Sequence, residues 1–144
     1  GTLHDVAFPG FSLMGQGATC SQGMKHEKMQ MDAGMSCVTA IQEMLLHVER
    51  GVTILFKGAP TRWEKVGFQG MKTDGGFVIA ADRLSGDIGP MTIESPLGGE
   101  LQLANPWPGK AAVVTHNDGA AVKCEGDVLT VSTQAGETVT LRRA

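Results

Sequence analysis

Tyrosine is absent from this sequence, and its aromatic residues are five Phe and two Trp. A surface that stacks several sugar rings or bases generally exposes more rings than that. Trp63 and Trp107 are therefore the candidates for stacking against a sugar, and both sit beside prolines at strand ends, where anchoring a loop to the core is the commoner role of Trp. A basic stripe is also missing. Lys and Arg are interspersed with acids and the net charge is −3, so the electrostatic footprint of a nucleic-acid partner is not present. No apolar run approaches the length of a membrane span. The chain does not open on a basic region followed by an apolar core, so no signal peptide is visible. That says nothing about the compartment, and a periplasmic or secreted parent protein remains compatible with the sequence.

Cysteine is sparse and odd in number, with Cys20, Cys37 and Cys124. Such a set is not a disulfide framework, and free thiols are expected. Cys20, His26 and Cys37 lack the C-x-x-C or tight His spacing of a zinc site, so no metal is expected. No G-x-x-x-x-G-K-[ST] loop occurs, and Gly98-Gly99 precedes a strand instead of a helix, so no phosphate-bearing cofactor is expected either. Ser12, Ser21 and Ser36 lie outside any nucleophile-elbow pattern.

What the chain does have is glycine, 20 residues of it, together with aliphatic residues and Met. Short strands joined by tight turns fit that balance better than a helical bundle. A chain of 144 residues suffices for one domain, or one domain with an extra arm, and buries roughly two-thirds of its unfolded surface without staples.

Residues 1–31 show no clean period and read as an irregular arm, in which Met14, Met24, Met29 and Met31 add flexible apolar weight. Residues 36–50 read as a helix. Val38, Ile41, Leu45 and Val48 recur at three- and four-residue steps, Ser36 can cap the start, Arg50 suits the last turn and Gly51 ends it. Within it, Glu43 and His47 are placed to pair at i,i+4. From residue 52 the period becomes two. VTILFK, VGFQGMK, GGFVIAA, MTIES, ELQLA, AAVVTH, AAVKCE, DVLTVS and ETVTLR are strand candidates, separated by Gly, Asp-Gly and Asn-Pro-Trp-Pro breaks. The expected fold is mainly β: an antiparallel two-sheet β-sandwich over 52–144, preceded over 1–51 by the irregular arm and one helix.

Two stretches carry a resemblance. KGAPTRWEKVGFQGMKTDGGFVIAA, followed by MTIESPLGGELQLANPW, is one; HEKMQMDAGMSCVTAIQEMLL, residues 26–46, is the other. In order and spacing they resemble the C-terminal region of glycoside hydrolase family 95 α-L-fucosidases, where the last helices of an (α/α)6 barrel run into a β-sandwich. The resemblance covers roughly residues 26–107. It implies that Asp32, in the context Gln30-Met31-Asp32, faces an active site and helps to activate water, and that His26 matches a His of the substrate pocket. The implied reaction is inverting hydrolysis, which needs two polar groups with room for a water between them. The family carries Gly-Asn-Phe-Gly after its Asp. Here Ala33-Gly34-Met35-Ser36 takes that place, which removes an aromatic ring and an amide from the sugar pocket. Without the resemblance, Asp32 reads as an acid that stabilises a helix N-terminus.

The resemblance implies a non-catalytic C-terminal fragment. The sandwich would brace the remainder of a parent barrel, and the chain alone would be inactive, because general acid–base chemistry needs its partners within hydrogen-bond reach. The alternatives are a freestanding carbohydrate-binding module with a glycan partner, and a protein-interaction sandwich that forms a homodimer through its exposed helix face.

Overall fold

The computed structural model describes residues 31–144, with side chains from residue 35 onward. His26 and the irregular arm lie outside the described residues. The chain divides into two compact units, Gly1–Gln42 and Glu43–Ala144. That division falls earlier than the 51/52 boundary read from the sequence, because the residues just before Gly51 belong to a sheet.

Helix α1 spans Met31–Leu45, shifted toward the N-terminus from the expected 36–50. Strand β1, Leu46–Glu49, follows with no intervening loop. Leu46 and Val48 fit both a helical and an alternating period, and pairing decides between them. Arg50 and Gly51 both have positive φ, 53° and 79°, as a type I′ hairpin turn requires. Gly51 thus turns a hairpin and does not end a helix. The turn sets Glu49 opposite Val52 and Leu46 opposite Leu55, and both leucines enter the core. The hairpin also serves the helix end. Leu45 O accepts from Phe56 N–H at 2.7 Å, and Met44 O accepts from Gly58 N–H at 3.2 Å. Carbonyls that a helix leaves unpaired at its C-terminus are satisfied by the segment that directly follows β2 of the hairpin, residues 56–58.

The remaining strands are β2 (Val52–Leu55), β3 (Lys65–Lys72), β4 (Val78–Leu84), β5 (Asp87–Ile88), β6 (Met91–Ser95), β7 (Gly99–Ala104), β8 (Ala112–Thr115), β9 (Ala121–Cys124), β10 (Val128–Thr133) and β11 (Glu137–Arg143). They form two sheets. One has the order β1-β2-β7-β10. The other has the order β3-β4-β6-β11-β8-β9, with β5 paired to β4. Every pairing is antiparallel except β2 with β7, which is parallel and has a single register pair, Thr53 with Leu103. Parallel neighbours need a long crossover; here the chain travels through β3, β4, β5 and β6 of the other sheet before it returns.

One hydrophobic core lies between the sheets. Leu101, Leu103, Leu129 and Val131 face it from the first sheet, and Ile79, Met91, Ile93, Val114, Val139 and Leu141 from the second. The alternation is strict along β6, where Met91, Ile93 and Ser95 are buried and Thr92 and Glu94 point away. Buried Ser95 accepts from Thr133 Oγ1–H at 2.7 Å. Thr53 and Thr73 join their hydroxyls at 2.8 Å. Arg83 is the one buried charged residue among those described. Its guanidinium donates to Ala59 O at 3.3 Å and Pro60 O at 3.0 Å and lies 5.5 Å from the Phe56 ring centroid. Burial of such a group requires partners of this kind.

Leu103→Ala is expected to lower unfolding free energy by about 2–5 kcal/mol in urea titration. Leu97→Ala, at a side chain 75% exposed, should stay within about 0.5 kcal/mol of the parent. Equal effects at the two positions would contradict the core assignment.

Candidate functional site

Of the four residues singled out in the sequence, His26 lies outside the described residues and the structure places the other three. Asp32 is the second residue of α1, and its side chain lies outside the described set. Trp63 is half-buried and packs against the core; its backbone N–H donates to Pro60 O at 3.1 Å. Trp107 is buried, 6% exposed, and its indole N–H donates to Ile88 O at 2.8 Å. An indole held in this way is anchored to the fold through its N–H and presents little of its surface to solvent. Glu43 and His47 do meet, with Nδ1 2.6 Å from Oε2, although His47 stands on β1 and not in the helix.

Trp107 forms the floor of a cleft of about 700 Å³. One wall is the β4–β5 hairpin. Ser85 and Gly86 turn it with φ of 49° and 88°, pairing Leu84 with Asp87 and Arg83 with Ile88. The ladder extends one step further through Gly89 N–H, which donates to Asp82 O at 3.0 Å. The loop that carries Trp107 is organised by Asn105. Its Oδ1 accepts from Trp107 N–H at 3.0 Å, and its Nδ2–H donates to Lys110 O at 2.9 Å and Gly126 O at 2.8 Å. The third wall is the end of β11, with Arg142 and Arg143. A smaller hollow of about 260 Å³ adjoins the cleft, shares Asp87, Ile88, Trp107 and Arg143 with it, and adds Lys110.

Asp82, Asp87, Arg142 and Arg143 all line the main cleft. Asp82 leans across its neighbour strand at Gly67, its register partner, where a Cβ would fall 1.9 Å from Oδ1. A larger residue there would require the Asp82 carboxylate to turn away. None of these four appears among the sequence-read candidates. The signals read from the sequence in this region were a turn at Ser85-Gly86-Asp87 and a proline-flanked Trp. No protein-family model matches the chain. No curated protein matches it either.

A second polar constellation lies on the other side of β11. Glu137 accepts from His116 Nδ1 at 2.7 Å and from Gln134 N–H at 2.8 Å. The Gln134 N–H first, and then His116, hold its carboxyl below the usual glutamate range, against the opposing effects of desolvation and, less, of Asp118. Among the described residues no three His, Cys, Asp or Glu side chains cluster as metal ligands. Cys37 is an exposed thiol and Cys124 a half-buried one.

A carboxyl whose pKa is depressed by folding contributes stability above its unfolded pKa, and that contribution is lost as pH falls through the folded value. Glu137 should therefore withdraw stability as pH drops below the ordinary glutamate value of about 4.3. Glu137→Gln keeps an acceptor for Gln134 N–H. Its urea midpoint is expected to fall less steeply than the parent's between neutral pH and pH 3. Superimposable profiles would refute the assignment.

Proposed function

We propose that this chain is a non-catalytic β-sandwich part of a carbohydrate-active enzyme, resembling family 95 glycoside hydrolases, and that it braces a catalytic barrel. The observation that carries this reading is the apolar stripe of α1. Met35, Val38 and Ile41 recur on one helical face and are 59%, 48% and 50% exposed. A helix with an apolar stripe normally covers it against a partner surface. The helix leads into β1 with no linker, the arrangement expected where a barrel's last helix enters its sandwich. In this reading Asp32, one turn before Met35, is delivered to a site that the barrel completes with a proton donor.

The alternative in which the stripe serves a homodimer makes a different prediction in solution. The protein encoded by the complete open reading frame should release sugar from an aryl α-L-fucoside, and the 144-residue chain should not. Asp32→Asn in the complete protein should lower kcat by about 10²–10⁴-fold. Release by the isolated chain, or full activity after that substitution, would overturn the proposal. A concentration-dependent dimer in light scattering, abolished by Val38→Glu with Ile41→Glu, would transfer the stripe to self-association.

A further inference from the structure

We propose that the groove between the β4–β5 hairpin, the Asn105 loop and the end of β11 binds an acidic polysaccharide built of uronic-acid rings. Arg142 and Arg143 would hold ring carboxylates, and Asp82 and Asp87 would accept ring hydroxyls. The inference does not depend on the barrel reading, since every residue involved lies on the sandwich.

Shape is the first ground. The main cleft, about 700 Å³, falls within the usual size of ligand sites. The adjoining hollow shares Asp87 and Arg143 with it, which offers room for a second ring beside the first.

Charge is the second. Elsewhere on the described surface several acids and bases pair, among them Lys57 with Glu49, Lys123 with Glu125 and His116 with Glu137. In the groove two carboxylates and two guanidinium groups line one hollow, and among the described residues no hydrogen bond or ion pair engages any of their side chains. Their donors and acceptors are left for something else. A guanidinium fork matches a planar carboxylate through two parallel N–H bonds, and a carboxylate accepts from hydroxyls.

Rigidity is the third. Trp107 is tied to Ile88, and Asn105 ties the loop at three points. Pro90, Pro106 and Pro108 stiffen the rim. A preorganised groove loses little entropy on binding.

These features select among ligand classes. A neutral glycan would leave both arginines idle. An acidic peptide would offer carboxylates to the arginines but few hydroxyl donors to Asp82 and Asp87, which line the same cleft. A uronic-acid chain presents a carboxylate and hydroxyl donors on every ring, and its C–H faces can rest on Leu84, which is solvent-exposed.

Titration calorimetry on the whole chain with an oligogalacturonate tests the idea. Saturable binding is expected, weaker at high salt. Arg142→Ala and Arg143→Ala should each weaken it by about tenfold, as loss of a charge-assisted pair does. Both arginines are exposed, and their side chains make no hydrogen bond or ion pair with other described residues, so an unchanged melting temperature should accompany the loss. Arg143→Lys keeps the charge and removes the fork, and should fall between parent and Ala variant. No saturable heat would overturn the proposal. So would affinity unchanged in both Ala variants, equal binding of a neutral cello-oligosaccharide, or tighter binding of a poly-glutamate peptide, which would assign the groove to peptides.

Discussion

The single parallel register of Thr53 against Leu103 joins the two halves of the four-stranded sheet. On one side of it stand β1 and β2, with the last turn of α1 bonded to them. On the other stand β7 and β10. Leu103 is fully buried and Thr53 nearly so, so the join lies inside the core and out of reach of water. The Thr53–Thr73 hydroxyl pair ties the same point to the segment that links β3 and β4. A lone register pair offers little backbone bonding by itself. Side-chain burial on either side of it has to supply the cohesion, and it does so through Leu46, Leu55, Leu101 and Leu103 in one cluster.

The sandwich was largely legible because its strands alternate. MTIES coincides with β6, and DVLTVS and ETVTLR fall within one residue of β10 and β11. One buried face and one wet face write a period of two into each of them. The helix was legible as a helix but not at its end, since Leu46 and Val48 satisfy both periods and only pairing with Val52–Leu55 decides. Strand β5, Asp87–Ile88, is too short to carry any period. Strand order and the parallel pair depend on long-range packing, on which alternation is silent.

The groove was less legible than the fold. Trp107 attracted notice through its prolines; it is buried, bonded to Ile88 O, and lines the groove. Asp82, Asp87, Arg142 and Arg143 look in sequence like the solvated ends of strands. They come from three different strands, and only the sheet order β4-β6-β11 brings them to one end of the sandwich. Gly67 is the exception that a sequence reader could weigh. A glycine inside a strand marks a close approach, and here the approaching group is the Asp82 carboxylate.

The linkerless passage from Leu45 to Leu46 has an implication for how this chain tolerates change in length. An added or deleted residue in an ordinary surface loop is absorbed by slack. At this seam there is none: Met44 and Leu45 are hydrogen-bonded to Gly58 and Phe56 while Leu46 is already in register with Leu55. A one-residue indel would swap the inward and outward faces of β1 or strip the helix of its terminal acceptors. Length variation should therefore collect at the Asn117-Asp118-Gly119 and Gln134-Ala135-Gly136 tips, and this junction should hold its spacing.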